Sequence, residues 1–361
     1  MFENKFIKSF KPYKVVKNSS KKLDTLKLDW NEPTIQPSKK IFFAVKEYLN
    51  KEKLNIYPDL KNNELLKALS SYARVSKKHI QYFAGSDALQ ECIAKTFLGE
   101  KDKVVLVSPT YDNFRSTAEA TGAKALFFKL DNNKVFNIEK FIKFTSHQKP
   151  KAIYICNPNN PTGTIFENSQ LKILFKKFSN TLFIIDEAYY EFYGKSVSQY
   201  VKNYNNLIVC RSFSKAFCLA SFRLGYAIAS EDLIISLNKV RNPKSVPSLS
   251  QVAGLAALSD IEYTEKFVRE VLKSKFKFLK EIKKIGSSEI QVYEGSGNFV
   301  LLKIMNKKVD ALISRLERES IFIRNLSHVP GLDNHVRVTI GKPNEMRKVI
   351  QIITTFFKDK I

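Results

Sequence analysis

Six short apolar runs, at residues 104–107, 125–128, 153–156, 182–185, 207–210 and 225–229, alternate with segments of helical patterning. This alternation limits the possible folds more than any other feature, because strands separated by helices build a mainly parallel sheet wrapped by those helices. Three of the runs end in polar groups. The run at 153–156 closes in Asn157-Pro158-Asn159-Asn160-Pro161-Thr162-Gly163, and the run at 182–185 ends in Asp186-Glu187-Ala188-Tyr189. The run at 207–210 leads to Ser212-Phe213-Ser214-Lys215, with Arg223 further along. Open α/β sheets bind ligands at the carboxyl ends of their strands, so the asparagine, the aspartate and the lysine can converge. A lysine in that position, flanked by small hydroxyls and trailed by an arginine, suits a phosphate held beside a reactive amine. Taken singly, Asn160 reads equally well as a turn former, Asp186 as a helix cap and Lys215 as a solvated turn residue. Their joint spacing argues against coincidence.

The chain has 361 residues, enough for one large domain and a smaller one. The pattern divides it into an arm at 1–37, a large domain at 38–240 and a small α+β domain at 241–361. From Lys39 onward Ile41, Phe42, Val45 and Leu49 recur at helical spacing. Beyond Arg241 a long amphipathic helix carries Phe267, Val268, Val271, Leu272, Leu279 and Ile282 on one stripe, followed by strands at 290–293, 298–304, 321–323 and 336–340. Net charge is +25, which raises the possibility of a nucleic-acid partner. The lysines are scattered, with no basic block and no interleaved aromatic platform, so the charge reads as solvated surface that favours anionic substrates. The four cysteines lack metal-ligand spacing, the N-terminus lacks an apolar signal core, and no run approaches a membrane span. The expectation is a soluble cytoplasmic protein with no bound metal, no nucleic-acid partner and no membrane association.

Together Asn160-Pro161-Thr162-Gly163, Asp186 with Tyr189, Ser212-x-Ser214-Lys215 and the later Arg223 resemble the fold-type I pyridoxal-phosphate enzymes of aminotransferase class I/II. Within that class the chain is most similar to the histidinol-phosphate aminotransferase group, from Pro12-Tyr13 to the C-terminal helix. The resemblance implies pyridoxal 5'-phosphate as cofactor and Lys215 as the residue that forms the Schiff base and shuttles the proton. It implies Asp186 as partner of the protonated ring nitrogen; such a pair at ~4 Å and an effective dielectric of ~20 gains about 4 kcal/mol before desolvation. Asn160 and Tyr189 would donate to the ring oxygen. Gly85, Ser86 and Asp87, at the start of a helical pattern, would cup the phosphate with Ser212, Ser214 and Arg223. Tyr111 would stack on the ring. Tyr57 would reach the phosphate of a neighbouring subunit, which makes the enzyme a homodimer. On the substrate side the resemblance implies Arg337 at the carboxylate, Arg324 as a second cation and Tyr13 at a distal anionic group.

The chain also departs from that group. Trp30 stands where a small side chain is usual, and Lys244 follows Pro243 where an aromatic is usual. Both changes point away from an imidazole substrate and toward a smaller phosphorylated or acidic amine or ketone, with glutamate and 2-oxoglutarate as the donor pair. Decarboxylation of an O-phospho amino acid on the same framework is the alternative reaction. A regulator that retained an inactive enzyme fold is the alternative from another class.

Overall fold

The computed structural model describes residues 2–8, 10, 25–51, 54–306 and 308–358; Tyr13 lies outside the described residues. The first elements are β1 (Leu26–Leu28), α1 (Lys39–Lys51) and α2 (Asn63–Ala73). An alternating stretch follows: β2 (Ile80–Phe83), α3 (Gly85–Phe97), β3 (Lys103–Ser108), α4 (Asn113–Ala120), β4 (Lys124–Lys129) and α5 (Ile138–Gln148). It continues through β5 (Ala152–Cys156), α6 (Asn168–Lys177), β6 (Leu182–Asp186), β7 (Leu207–Ser212), β8 (Gly225–Ala229) and α7 (Glu231–Val240). Then come α8 (Ser248–Leu258), α9 (Ile261–Lys283), β9 (Ile290–Tyr293), β10 (Phe299–Ile304), α10 (Val309–Arg318), β11 (Ile321–Asn325), β12 (His335–Thr339) and α11 (Pro343–Lys358).

Seven strands form one sheet in the order β2-β8-β7-β6-β5-β3-β4. β4, β3, β5, β6 and β7 are parallel neighbours, and β8 runs antiparallel to both β7 and β2. All strands except β8 therefore end along the same edge. β5, β7 and β8 are buried along their whole length, as expected for strands covered on both faces. The pleat divides the side chains of β5, β6 and β7: Ile153, Phe183 and Val209 enter one core, and Tyr154, Ile184 and Ile208 enter the other. β2 was not among the expected strands, because Ile80-Gln81-Tyr82-Phe83 is short and mixes polar with apolar residues.

The second sheet has five strands in the order β1-β11-β12-β10-β9, so residues 26–28 of the expected arm form its edge, parallel to β11. Val336 and Val338 of β12 enter a core with Phe267, Leu312, Val349 and Ile353 from α9, α10 and α11. Alternation then sends Arg337 and Thr339 to the opposite face. Two details differ from the pattern-based expectation. Leu272 falls off the buried stripe of α9, and α1 buries Ile41 while Phe42, Phe43 and Leu49 remain exposed. α8 places Ala253 and Ala257 in the core of the first sheet, so the second core takes up the chain at α9 and not at residue 241.

A buried ion pair joins two strand ends beneath the site edge. Arg211 Nε donates to Glu187 Oε2 at 3.0 Å, Arg211 Nη2 donates to Ser196 Oγ at 2.7 Å, and the guanidinium lies 3.7 Å over the Tyr190 ring. Removing one member leaves a buried charge unpaired, which is more damaging than never having buried the pair. Glu187→Ala should lower unfolding free energy by about 3–5 kcal/mol in a denaturant titration.

Candidate active site

The carboxyl ends of β5, β6 and β7 and the start of α3 after β2 bring the candidate residues together. Asp186, the last residue of β6, is 2% exposed. Its Oδ2 accepts from Gln90 Nε2 and Tyr154 Oη, both at 2.8 Å, and its Oδ1 accepts from the Ala188 amide at 3.0 Å. All three donors are neutral. Burial therefore dominates and pushes the carboxyl up to about 6. A buried carboxylate whose hydrogen-bond donors are all neutral fits a cationic ring nitrogen.

Lys215 Nζ donates to the Trp30 carbonyl at 2.9 Å and lies 5.9 Å from the Tyr189 ring centre. Burial, reinforced by the nearby Arg337 charge, lowers its ammonium to about 8. Far more of it is then free amine near neutral pH than for an ordinary lysine, and the free amine is the form that attacks a carbonyl. Tyr189 is buried, its ring edge-on to Phe299, and its hydroxyl accepts from Asn31 Nδ2 at 2.9 Å. Asn160 Oδ1 accepts from Arg337 Nη1 at 2.6 Å, and Arg337 Nη2 donates to the Asp29 carbonyl. Arg337 thus reaches from the second sheet to the turn after β5.

An anion cradle lies beside this cluster. α3 begins at Gly85 with no side-chain cap, which leaves its first N–H groups open. Arg223 Nη2 meets Asp87 Oδ2 at 3.1 Å, Arg223 Nη1 meets Ser214 Oγ at 3.3 Å, and the Ser214 amide donates to Ser212 Oγ at 3.0 Å. Two glycines allow this approach. A Cβ on Gly85, at φ +86°, would come within 2.8 Å of Arg223 Nη2, and one on Gly225 within 2.6 Å of the Ser86 amide. Tyr111 bonds Asp87 Oδ1 through its hydroxyl at 3.1 Å and stands at the rim, where burial and the Asp87 charge raise its phenol. The uncapped helix start, the paired hydroxyls and the arginine fit a phosphate.

The remaining candidates lie further out. Trp30 meets Lys215 through its backbone carbonyl, while its half-exposed ring lies 4.1 Å beneath Lys27 Nζ. Tyr57 is 72% exposed, with Lys244 Nζ 4.2 Å over its ring. Within one chain the two meet each other. Arg324 sits directly across from Arg337 in the β11–β12 register. Among the described residues no group of His, Cys, Asp or Glu is arranged to hold a metal ion, and no helix is long and apolar enough to cross a membrane.

Asn31, Gln90 and Tyr154 were not foreseen. Tyr154 carried a signal, since a tyrosine inside an aliphatic strand needs a partner for its hydroxyl. Gln90 lies one turn past the helix start, and no local pattern marks it as a partner of Asp186. Asn31 has φ 57°, a conformation asparagine tolerates better than most residues, and it bonds Thr339 Oγ1 through its amide at 3.0 Å.

The fold and this cluster define an enzyme that uses pyridoxal phosphate. The chain belongs to the aminotransferase class I and II family, whose model matches residues 24–353. It is 42% identical to the dihydroxyacetone phosphate transaminase of Campylobacter jejuni, over 99% of this chain and 98% of that one. It is 35% identical to the histidinol-phosphate aminotransferase of Ruminiclostridium cellulolyticum, over 93% of this chain and 92% of the relative. The histidinol-phosphate aminotransferase structure from Clostridium acetobutylicum superposes with a TM-score of 0.84 at 26% identity, covering 92% of this chain and 99% of that one. The protein is accordingly a pyridoxal-phosphate-dependent aminotransferase of the histidinol-phosphate type.

The depressed Lys215 ammonium gives a direct test. The rate at which cofactor-free protein captures pyridoxal phosphate, followed by visible absorbance, should rise with pH through a midpoint near 8. Gly85→Ala should weaken capture at every pH, because both its backbone angle and the Arg223 contact resist a side chain.

Proposed function

We propose that this aminotransferase moves the amino group of L-glutamate, released as 2-oxoglutarate, onto the ketone carbon of a small phosphorylated ketone such as dihydroxyacetone phosphate. The observation that carries this reading is the cross-strand pair Arg324 and Arg337. Register partners in an antiparallel ladder project from the same face, so the two arginines belong to one face of the second sheet. Arg337 is held by Asn160 and Asp29, whereas Arg324 has no hydrogen bond or ion pair among the described residues. Like charges placed together favour an anion between or beside them, and a guanidinium fork matches phosphate and carboxylate alike. The similarity to a transaminase named for dihydroxyacetone phosphate supports the same substrate class.

The bound cofactor supplies an electron sink for the carbanion formed at the substrate's reacting carbon. Lys215 would hold the cofactor and would carry the proton at that carbon, a task its lowered ammonium allows. Asp186 would face the ring nitrogen, and Asn160 and Tyr189 the ring oxygen. Ser86, Ser212, Ser214 and Arg223 would hold the phosphate with the backbone at Gly85 and Asp87, and Tyr111 would lie over the ring. Arg337 orients the donor's α-carboxylate, and Arg324 takes the distal anion. Trp30 bounds the pocket on the arm side.

The working unit in this reading is a homodimer. Phe42, Phe43, Leu49, Leu54, Ile56 and Tyr57 are exposed, and large apolar side chains left in water suit burial against a second copy. Tyr57 would serve the partner's phosphate, with Lys244 beside it. The free cysteines fit a reducing compartment, and we assign the enzyme to the cytoplasm.

A substrate panel tests the proposal. Purified enzyme with L-glutamate and dihydroxyacetone phosphate should release 2-oxoglutarate in step with consumption of the ketone. Faster turnover of histidinol phosphate would overturn the substrate class. Carbon dioxide from O-phosphoserine without 2-oxoglutarate would establish the decarboxylase instead. Arg324→Met should raise KM for the phosphorylated ketone about 10- to 100-fold, because a charge-assisted hydrogen bond contributes ~1.5–3 kcal/mol.

A further inference from the structure

Lys275 lies on the buried face of α9, among Phe267, Val268, Val271 and Phe278, and is 6% exposed. No carboxylate accompanies it among the described residues. Its Nζ donates to the carbonyls of Gly295 and Gly297, the latter at 3.0 Å. Burial lowers its ammonium to about 8, so the charged form is held there against desolvation. A methionine would fill the same volume without that penalty. The position is accounted for by what the ammonium holds.

The loop it holds has little side-chain packing of its own. Two of the three residues 295–297 are glycine, and Gly297 has φ +108°. Such a segment has no side-chain packing of its own and a wide conformational range. Gly295 lies directly on Gly163, where a Cβ would run into the Gly163 carbonyl, and the Ser296 amide donates to that same carbonyl at 2.8 Å. The Gly163 amide in turn donates to the Asn159 carbonyl at 2.7 Å, closing the turn that presents Asn160. At the other end of the loop, Asn298 Nδ2 donates to the Asn31 carbonyl at 3.0 Å, and Asn31 Nδ2 reaches the Tyr189 hydroxyl at 2.9 Å. One glycine-rich loop thus supports both Asn160 and Tyr189, although these residues leave the first sheet at different strands.

We propose that Lys275 is a positioning residue for the cofactor's ring-oxygen donors: by fixing the 295–298 loop to α9, it sets Asn160 and Tyr189 at the same time. The proposal rests on the reading of Asn160 and Tyr189 given above. Lys275 itself touches neither substrate nor cofactor. Its effect on the reaction therefore passes through two hydrogen bonds that stabilise negative charge on the ring oxygen. Weakening them lets that oxygen hold a shared proton more strongly.

The test uses the pyridoxal-phosphate-loaded enzyme and three variants: Lys275→Met, Lys275→Arg and Tyr189→Phe. The readouts are the pH midpoint of the cofactor's visible absorption, thermal stability, and kcat and KM with L-glutamate. Lys275→Met should move the midpoint upward by about half a unit or more, in the direction of Tyr189→Phe, because both weaken donation to the ionised oxygen. Its kcat should fall about tenfold with KM changed much less, the pattern of an interaction that matters in the transition state. Lys275→Arg, which keeps the cation and its donors, should restore the midpoint toward wild type. If Lys275→Met does not fold, Lys275→Gln takes its place with the same readouts and a smaller shift in the same direction. A variant that loses thermal stability while the midpoint and kcat stay put would overturn the proposal and leave Lys275 a structural residue. A midpoint that moves for Tyr189→Phe but not for the Lys275 variants would sink the Lys275 role alone. No movement in any variant would sink both readings.

Discussion

The site is organised around a carboxylate that the fold buries without giving it a cationic hydrogen-bond partner. Asp186 ends a central strand, receives hydrogen bonds from Gln90, Tyr154 and the Ala188 amide, and is pushed up to about 6 by burial. In the absence of ligand the sign is unfavourable. Its protonation constant is above the unfolded value, so the protein binds more protons folded than unfolded between about pH 4 and 6, and this group's contribution to stability declines as pH rises across that window. A cationic ring nitrogen would reverse the balance. The three neutral donors hold the oxygens in place without neutralising them, which leaves the charge available for a cationic partner.

The surrounding residues follow from where strands end. A parallel sheet places the termini of β5, β6 and β7 on one edge, and this brings Asn160, Asp186 and Ser212 together although more than twenty residues separate each from the next in the chain. The second sheet closes the site from the opposite side. Arg337 crosses to Asn160, and Asn31 joins β12 to Tyr189 by bonding Thr339 and the tyrosine hydroxyl together. The Gly295–Gly163 contact brings the two units backbone to backbone at the same place. The pocket is therefore a junction, and Asn160 and Tyr189 depend on both sides of it.

Much of this was legible in the sequence, because strand alternation and the short motifs are local. Each of Asp186, Ser212, Lys215 and Arg223 follows an apolar run whose period and length mark it as a strand or a turn leaving one. The uncapped helix start at Gly85 was readable for the same reason, since it follows directly from the local pattern. What escaped notice were relations between distant segments. Nothing near Gln90 or Asn31 signals a partner at Asp186 or Tyr189, and Lys275 reads as one more lysine on a basic helix until the carbonyls of Gly295 and Gly297 are seen around it. Helical spacing likewise picked out Phe42 and Leu49 with Ile41, but α1 buries only Ile41 and leaves the other two exposed, because periodicity identifies an apolar face without specifying what covers it. The boundary drawn at residue 241 marked a real change in pattern but missed that α8 still packs on the first core.

The most direct test of the account compares the binding of pyridoxal phosphate with that of its analogue carrying a carbon in place of the ring nitrogen, in wild-type protein and in Asp186→Asn. If Asp186 is the group the ring nitrogen completes, wild-type protein should favour the natural cofactor clearly, and the preference should collapse in the variant, because only the pair of charged partners distinguishes the two ligands. An undiminished preference in Asp186→Asn would mean that some other group recognises the nitrogen and that the buried carboxylate is not the centre of the site.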